Sequence, residues 1–485
     1  MKLIVTKTVI DEHQCYVISD LHLAEGDLGS GQMLGTENFQ SDREFAAFIL
    51  HLKKESKQPI CLIINGDFVD FIRITGIPSE KQFDEWRNEL IIADPSFSNY
   101  HLEALGKTEI KYGLRTNDYK SVWKLYLAIM GHESFFTAMA NFVDEGNSLI
   151  INVGNHDPEW YWTLVQDYMR EKLYLLSSKN SAKSNFIKKI RFSTTAMEIY
   201  DTILIDHGHN FEKVTACHPK YELHLVKNLE KSWWQSDMAT PMDPRKRELH
   251  LSFGSIINRY LLNRTEKEFP YIDNLDTGKS VFTALLNNNL GSVYKILFNY
   301  LNYMWRSLSK DYSRLMWYTL ENILVPLLPI GLFVYLLNET ELFQFEFLPA
   351  WASTILKWLS TALGPLVLRH FLKMFLRWTN VTDAPLEESV MNLIQKDPNF
   401  TKYSHIVVGH NHQAYHILGD DKKEYLNTGT WTSKYVYKYE KIDTGLNITT
   451  VRIQRTDSGN KLSLLKYDAI ANTLTSFVSI KKYVK

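Results

Sequence analysis

Five short apolar segments of this chain each end in a cluster of acidic, amide and imidazole side chains. The apolar segments span four to six residues and are 14–19, 60–65, 148–153, 202–205 and 405–408. The clusters at their ends are Asp20-Leu21-His22, Gly66-Asp67, Gly154-Asn155-His156-Asp157, Asp206-His207-Gly208-His209 and Gly409-His410-Asn411-His412. Apolar runs of this length are typical of buried strands in an α/β sheet, and ligand-binding groups usually lie at the carboxyl ends of such strands. We therefore expect the five clusters to converge on one site.

The composition is typical of a globular protein with more than one domain. The chain has 485 residues, of which 45% are hydrophobic and 22% are charged, so disordered and fibrous classes are excluded and two or three domains are expected. Lys and Arg number 54 against 55 for Asp and Glu. This balance provides no overall basic field, so no nucleic-acid partner is expected unless a local basic patch supplies one.

The cysteines and the N-terminal sequence favour a reducing compartment. Cys15, Cys61 and Cys217 are far apart and odd in number, which excludes a disulfide scaffold and a zinc finger. The N-terminal residues lack the apolar stretch and the small-residue cleavage site of a signal peptide. The expected location is therefore cytoplasmic, with peripheral or monotopic attachment at the inner face of a membrane as a variant of it.

The side chains in the five clusters suit divalent cations. They supply carboxylate, amide and imidazole groups without a thiolate, and one carboxylate can bridge two such ions. Each motif alone is weak, because a single His or an Asp-x-His more often has a structural role, but five motifs in order at strand ends are hard to explain by coincidence. Their order and sequence closely resemble the calcineurin-like metallophosphoesterases, over residues of about 14–215 and 400–435.

This resemblance implies a dinuclear metal site with a proton donor beside it. The residues that match the family's ligands are Asp20, His22, His412, Asp67, Asn155, His207 and His410. The first three with Asp67 would bind one ion, and Asp67 with the last three would bind the other, so that Asp67 is the bridge. Two divalent ions are implied, of which Mn is the most frequent in the family, with Fe or Zn as alternatives.

The resemblance also assigns roles to residues around the metals. His156 stands where the family keeps its general acid, and Asp157 is expected to orient the imidazole of His156. His209 and Asp70 are expected either to hydrogen-bond to the ligands or to contact the substrate.

The fold implied by the resemblance is an α/β protein, a four-layer α-β-β-α sandwich with a mainly helical insert domain. The first part of the metallophosphoesterase core would span 1–219, with a helical insertion at about 75–145. The insert would span 220–385, and the second part of the core would span 386–485.

Local patterns predict further elements. Residues 80–92 and 121–143 have helical periodicity. Residues 425–432 and 445–455 alternate in a way that predicts strands, which we place at the edge of a sheet.

Two apolar runs distinguish the insert. Residues 323–337 carry no charge but contain two prolines, and residues 347–368 carry a single charge, Lys357. As helices the runs would reach about 22 Å and about 33 Å, against a hydrocarbon core of roughly 30 Å, and the longer one would place Lys357 in the membrane interior. Attachment to a membrane surface through 323–368 fits these limits best, while a buried lid, a dimer core and true spanning are the alternatives. The oligomeric state is left open.

Details of the motifs narrow the class of enzyme. After Gly66-Asp67 the chain lacks the Arg-Gly of protein Ser/Thr phosphatases and the metal-binding tyrosine of purple acid phosphatases. The motifs at Asp20 and His207 are more similar to those of the UDP-diacylglucosamine hydrolases, which also insert an apolar lid between the fourth and fifth blocks. That branch usually has Arg at the position of His156, so its exact lipid substrate is not carried over.

The leading hypothesis is therefore an enzyme, a dimetal-dependent phosphoester or pyrophosphate hydrolase that acts on a lipid-linked or amphiphilic phosphate. A soluble phosphodiesterase for nucleotides or nucleic acid is the alternative. A non-catalytic scaffold is disfavoured, because every predicted ligand position is filled.

Overall fold

The structure is a computed structural model, and most of the chain outside the predicted insert can be followed in it. The described residues are 5–28, 36–102, 104–212, 215–216, 249, 251–252, 254–255, 258–259, 263, 386–419, 423–432, 434–438, 441–445, 447–456, 459–477 and 480–482. All of them belong to one unit, Met1–Val293 together with Leu386–Lys485. The predicted insert, 220–385, lies outside the described residues except for eight positions between 249 and 263, and both of its apolar runs lie outside them.

Two mixed sheets form the framework of this unit, each with seven strands in the described part of the chain. The first sheet has the spatial order β15 (Thr473–Ser476), β14 (Gly459–Asp468), β13 (Thr449–Thr456), β2 (Gln14–Ile18), β3 (Cys61–Asn65), β4 (Ser148–Asn152) and β5 (Ile190–Ser193). The second sheet has the order β1 (Val5–Lys7), β6 (Ala196–Ile199), β7 (Ile203–Ile205), β8 (His405–Val408), β10 (Glu424–Thr428), β9 (Ala414–Leu418) and β16 (Ile480–Lys482). A separate pair consists of β11 (Lys434–Lys438) and β12 (Lys441–Gly445).

The five strands predicted before the polar clusters are present as β2, β3, β4, β7 and β8, and the predicted α/β class is confirmed. The placement of two later strands at a sheet edge is wrong. β10 lies between β8 and β9, and β13 lies between β14 and β2. Each is therefore hydrogen-bonded on both sides and lies inside its sheet, while the later strands β15 and β16 form sheet edges.

Parallel pairing brings the polar clusters to the same edge of each sheet. In the first sheet Ile18 pairs with Ile64 and Asn65 pairs with Asn152, so β2, β3 and β4 end at nearly the same level. In the second sheet β7 and β8 are also parallel and in close register. Because side chains at the carboxyl ends of parallel neighbours meet at one edge, the five clusters are brought close together.

Alternation along the strands divides the buried side chains between the two faces of the first sheet. On one face Val17 and Ile63 share a buried cluster with Ile205 and Val407 of the second sheet. On the other face Tyr16 and its alternating neighbours pack against helices. Burial of each such aliphatic side chain contributes about 1.5–3 kcal/mol, so these contacts hold the sheets that position the site.

Several helices share buried clusters with the strands of the two sheets. In the described part of the chain the helices are α1 (Asp42–Glu55), α2 (Phe83–Ala93), α3 (Lys107–Tyr112), α4 (Asp118–Gly131), α5 (Glu133–Asp144), α6 (Thr163–Leu176), α7 (Lys183–Lys188) and α8 (Leu386–Lys396). Short 3₁₀ helices span Glu80–Gln82, Pro95–Asn99, Pro158–Tyr161 and His209–Phe211. None of the helices in these described segments is long and apolar enough to cross a membrane.

His132 divides the helical segment predicted at 121–143 into α4 and α5. Its backbone leaves the helical region, with φ −125° and ψ 41°. Its imidazole Nδ1 lies 2.9 Å from Asp42 Oδ1, and its Nε2 lies 3.0 Å from Glu37 Oε2. The carboxylate of Glu37 also accepts the backbone N–H of Ala24, two residues after His22. The contact therefore ties the helix break to the loop that carries a predicted metal ligand.

We expect His132→Gln to destabilise the protein more at pH 6 than at pH 9.5. Burial opposes protonation of His132, but Glu37 and Asp42 outweigh it and raise the pKa of the imidazole to about 10. The pKa of a histidine in the unfolded chain is about 6.5. Below that pH the raised pKa of His132 contributes its full stabilisation to the folded state, and this stabilisation is lost as the pH rises towards 10. Thermal unfolding of the native and variant proteins at the two pH values measures the difference.

A Phe135→Leu variant is the control for this prediction, because Phe135 is buried next to His132 on α5 and does not titrate. Its loss of stability should be similar at both pH values. Equal losses at pH 6 and pH 9.5 for His132→Gln would show that the charged contact contributes nothing.

Candidate metal centre

The loops that carry the predicted ligands hold them in a backbone conformation that side chains rarely adopt. The angle φ lies between 51° and 74° at Asp20, His22, Asp67, His410 and His412. These are five of the nine non-glycine residues with positive φ in the part of the chain that the structure describes. Left-handed backbone costs about 1–2 kcal/mol per residue, and such strain is typically concentrated at functional sites.

Hydrogen bonds between the loops fix these conformations. The backbone N–H of His22 donates to the carbonyl oxygen of Asp67 over 2.9 Å. The backbone N–H of His410 donates to Asp20 Oδ2 over 2.9 Å, and Thr430 Oγ1 donates to the carbonyl oxygen of Asp20 over 2.7 Å. Loops from both sheets are therefore connected directly at Asp20.

Two glycines allow the loops to approach so closely. A Cβ atom on Gly154 would lie 2.2 Å from Asp67 Oδ1, and one on Gly409 would lie 2.5 Å from Asp20 Oδ2. Both distances are shorter than any van der Waals contact. The Gly that precedes Asn155 and the Gly that precedes His410 thus leave room for the carboxylates that are the predicted ligands.

One group of converging ligand atoms contains Asp20, His22 and His412. His22 Nε2 lies 3.0 Å from His412 Nε2, and His412 Nε2 lies 3.4 Å from Asp20 Oδ1. Burial alone would raise the pKa of Asp20, but the contact with His412 and the charge of His207 lower it to about 2. The carboxylate is therefore ionised and available to a cation at neutral pH.

A second group contains Asp67, His207 and His410, and Asp67 also belongs to a third group with His22 and His156. Asp67 Oδ2 lies 3.2 Å from His207 Nε2 and 3.7 Å from His22 Nε2. In each group the ligand atoms lie within 4.8 Å of one another. Asp67 therefore stands between two sets of ligand atoms, where a bridging carboxylate is expected.

Two buried polar atoms of predicted ligands, Asn155 Oδ1 and His410 Nδ1, have no hydrogen-bond partner among the described residues, and His207 Nε2 lies 3.2 Å from the carboxylate oxygen Oδ2 of Asp67. His207 Nδ1 lies 2.8 Å from the carbonyl oxygen of Asn65, and His410 Nε2 lies 3.1 Å from Glu212 Oε2. Each imidazole can thus donate through one nitrogen, which leaves the other nitrogen to bind a metal ion when the imidazole is neutral. A buried polar atom without a partner costs about 1–3 kcal/mol, and a bound cation removes that cost.

The raised pKa of His207 also indicates that this site stabilises positive charge. Burial opposes protonation of its imidazole, but the adjacent carboxylate of Asp67 outweighs burial and raises the pKa to about 10. Without a cation, a proton is held between these two groups. A divalent ion would replace that proton, since ligating histidines bind metals in the neutral form. The buried His and Asp groups therefore fit a metal ion.

Asp70 connects a predicted ligand with the predicted proton donor. Its Oδ2 lies 3.0 Å from His22 Nδ1 and 2.8 Å from His156 Nδ1, and the backbone N–H of Arg73 donates to its Oδ1 over 3.1 Å. Burial alone would raise the pKa of Asp70, but His156 and His22 hold it well below its usual range. The negative carboxylate fixes both imidazoles with their Nε2 atoms directed away from it.

The expectation that Asp157 orients His156 is corrected by this geometry. The carboxylate of Asp157 accepts the backbone N–H of Phe68 over 2.8 Å, that of Gly154 over 2.5 Å, and Nε1–H of Trp160 over 2.9 Å. Burial and the charge of Asp67 raise the pKa of Asp157 to about 7. Asp157 holds the loop that presents Asn155 and His156, while Asp70 contacts the imidazole.

His156 belongs to the third group of converging atoms, with His22 and Asp67. Its backbone N–H donates to Asp67 Oδ1 over 2.9 Å, and its side chain is 12% exposed. Its ring meets that of His22 edge-on at a centroid distance of 4.7 Å. Burial lowers the pKa of His156, but the charges of Asp70 and Asp67 outweigh burial and raise it to about 9. The imidazole is therefore protonated at neutral pH in the absence of a cation.

Residues that the sequence reasoning missed or left undecided surround the ligands. His209 is buried, its Nε2 lies 2.8 Å from Asn210 Nδ2, and its ring lies 5.4 Å from that of His207, so it packs behind a ligand. Glu212 and Thr215 were not predicted, yet both contact His410 Nε2 at 3.1 Å. They belong to no recognisable motif, and only their place after the His209 turn could have indicated them.

Comparison with known proteins adds no assignment to this geometry. No model of a known protein family matches the chain, and a search of curated proteins finds no similar sequence.

Proposed function

We propose that the protein is a metal-dependent phosphoester or pyrophosphate hydrolase with a dinuclear metal centre. The observation that carries this proposal is the position of Asp67 Oδ2, 3.2 Å from His207 Nε2 on one side and 3.7 Å from His22 Nε2 on the other. A carboxylate shared by two sets of imidazole ligands is the arrangement that two neighbouring divalent ions require. Two atoms that have no hydrogen-bond partner among the described residues, Asn155 Oδ1 and His410 Nδ1, support the same proposal.

The residues proposed to hold the ions are those predicted from the sequence. Asp20, His22, Asp67 and His412 would hold one ion, and Asp67, Asn155, His207 and His410 would hold the other. Mixed nitrogen and oxygen ligands suit Mn, with Fe or Zn as alternatives. When bound, such a pair of ions supplies a nucleophile from water at neutral pH and neutralises charge on a phosphate.

The remaining work of catalysis is assigned to His156 and Asp70. Asp70 holds Nδ1–H of His156, so Nε2 is the nitrogen of His156 that would carry the proton for a leaving oxygen. Protonating the leaving oxygen matters because an alkoxide or phosphate leaves poorly when it carries full negative charge. The side chain of His156 is 12% exposed, and this partial exposure supports the role.

The fold is proposed to be the four-layer α-β-β-α sandwich of the metallophosphoesterases. Buried clusters that support it join α1 and α5 to the first sheet, join the two sheets to each other, and join α8 to the second sheet.

The proposed substrate is a lipid-linked or amphiphilic phosphate. This part of the proposal is supported by the sequence, in which the apolar runs 323–337 and 347–368 follow a segment that contacts the site. We propose that 323–368 attach the protein to a membrane surface and bring the phosphate to the metals.

The experiment compares hydrolysis of a phosphomonoester, a soluble phosphodiester and a lipid pyrophosphate in mixed micelles by the manganese-loaded protein. We expect hydrolysis that disappears after chelation and returns with Mn, with the lipid substrate preferred, and co-sedimentation of the protein with liposomes. A preference for nucleotide diesters without liposome binding would favour the soluble phosphodiesterase. Failure to hydrolyse any of these substrates with two ions bound would overturn the proposed function.

A further inference from the structure

Two contacts reach the candidate site from residues that the sequence analysis assigned to the insert. Ser255 Oγ donates to the carbonyl oxygen of Asn155 over 2.9 Å. Asn258 Nδ2 lies 3.3 Å from His156 Nε2. These contacts fall on two consecutive residues, one a predicted metal ligand and the other the predicted proton donor. Ser255 and Asn258 therefore contact the site where a predicted ligand adjoins the predicted proton donor.

Other contacts hold the described residues between 249 and 263 against the rest of the unit. Arg259 donates to the carbonyl oxygen of Gly113 over 2.8 Å, and Asn263 Nδ2 donates to the carbonyl oxygen of Ile72 over 2.8 Å. Ser255, Arg259 and Asn263 are all at most 5% exposed. Since these anchors do not involve His156, the position of Asn258 is set independently of the imidazole that it contacts.

The contact between Asn258 and His156 is compatible with both protonation states of the imidazole. Because Nδ1–H is given to Asp70, Nε2 of a neutral His156 is an acceptor, and the amide nitrogen of Asn258 can donate to it. When Nε2 carries a proton, rotation of the carboxamide presents its oxygen as an acceptor instead. Asp70 and Asn258 thus hold the ring at both nitrogens, which fixes its plane as well as its direction.

We infer that Asn258 is a positioning residue for His156, and that Ser255 and Asn258 mark the leaving-group side of the site. This inference rests on the proposed function, since it takes Nε2 of His156 as the atom that gives a proton to the leaving oxygen. An oxygen that receives this proton lies within hydrogen-bonding distance of Nε2, and therefore next to the carboxamide of Asn258. The site consequently favours leaving groups with hydrogen-bonding atoms, such as a sugar alcohol or a second phosphate, over apolar ones.

The test uses Asn258→Ala, with Asn263→Ala as the matched control. Both variants remove a carboxamide from the same segment, but the carboxamide of Asn263 contacts a backbone carbonyl rather than His156. The first measurement is the ¹⁵N resonance of the His156 imidazole in the metal-free, full-length protein, identified by its loss in His156→Ala. We expect the resonance to move in Asn258→Ala and to stay in place in Asn263→Ala.

The second measurement is turnover with two soluble diesters, one with an alkyl leaving group and one with a nitrophenyl leaving group. Asn258→Ala should lower kcat about tenfold for the alkyl ester and much less for the nitrophenyl ester. The alkoxide leaving group must be protonated by His156, whereas nitrophenolate leaves without a proton, so a misplaced His156 slows mainly the alkyl ester. Asn263→Ala should change kcat by the same factor for both esters. Asn258→Ser, which keeps a short polar side chain, gives the same comparison if the alanine variant does not fold.

The outcomes separate this inference from the proposed function. An unchanged His156 resonance in Asn258→Ala, or an equal loss of kcat on both esters, overturns the role of Asn258 while the hydrolase proposal stands. A native protein that hydrolyses no phosphoester overturns the proposed function, and with it the role of Asn258 on the leaving-group side.

Discussion

Replacing Asp67 with asparagine should remove most of the bound metal and nearly all of the hydrolytic activity. Asp67 Oδ2 faces His207 on one side and His22 on the other, so the loss of its charge should weaken the binding of both proposed ions. The native protein should bind about two ions per chain when it is loaded, and the variant should fall below one. Activity should fall at least about 10³-fold, since charge stabilisation is the largest contribution that such a centre makes. Elemental analysis and turnover on a soluble diester measure both effects.

Asparagine is chosen because it keeps an acceptor at the position of Oδ1, which receives the backbone N–H of His156. The control is Asp144→Asn, which changes a buried carboxylate that accepts the backbone N–H groups of Asn180 and Ser181. That variant should keep both ions. An Asp67→Asn protein with native metal content and native activity would rule out the dinuclear centre. Asp67→Ala should give the same loss of metal as Asp67→Asn.

Replacing His156 with alanine should leave the metal content unchanged and lower turnover about 10²–10⁴-fold on substrates with poor leaving groups. The loss should shrink for nitrophenyl esters, because nitrophenolate leaves without being protonated. The reason is structural: Asp70 holds Nδ1 of His156, so only Nε2 can serve a leaving oxygen. Steady-state kinetics on an alkyl diester and a nitrophenyl diester, with metal analysis of the same samples, measure the effect.

A ligand role for His156 is the competing hypothesis, because its imidazole also shares a group of converging atoms with His22 and Asp67. Metal content separates the two hypotheses, since a ligand variant loses an ion and a proton-donor variant does not. His416→Ala is the control, because His416 contacts Glu424 on neighbouring strands of the second sheet. It should keep both metal and activity. Loss of metal from His156→Ala would show that the proton-donor role is wrong.

Neighbouring positions in the sequence were a poor guide to side-chain contacts within the site. Asp157 follows His156 directly, yet its carboxylate binds backbone N–H groups of two loops, and the carboxylate beside the imidazole belongs to Asp70. Successive residues on a tight turn direct their side chains differently, so adjacency along the chain does not predict a contact. Asp70 lies in the loop after β3, which pairs with β4, the strand that precedes His156, and only the assembled sheet defines that pairing.

Helical periodicity likewise predicted which residues are helical but not where the helices begin and end. The pattern across 121–143 is continuous, but the structure interrupts it at His132, where two carboxylates from distant positions receive the imidazole. β13 shows the same limit, because alternation predicted the strand while its place beside β2 depends on a partner more than 400 residues away in the chain. Local sequence patterns indicate which side chains are buried, but they do not indicate which strand or helix buries them.

What the sequence determined by itself is the set of buried strands and the chemistry at their ends. Apolar runs that stop at Asp, Asn and His follow from local residue choice, and parallel pairing then brings such ends together. The tertiary structure alone decided which carboxylate holds which imidazole, which lone pairs remain for a cation, and that Asn258 reaches His156 from outside the recognisable motifs. The physical reason is that hydrogen bonds over about 3 Å depend on how loops from two sheets are fixed against each other, and no periodicity in a single chain encodes that distance.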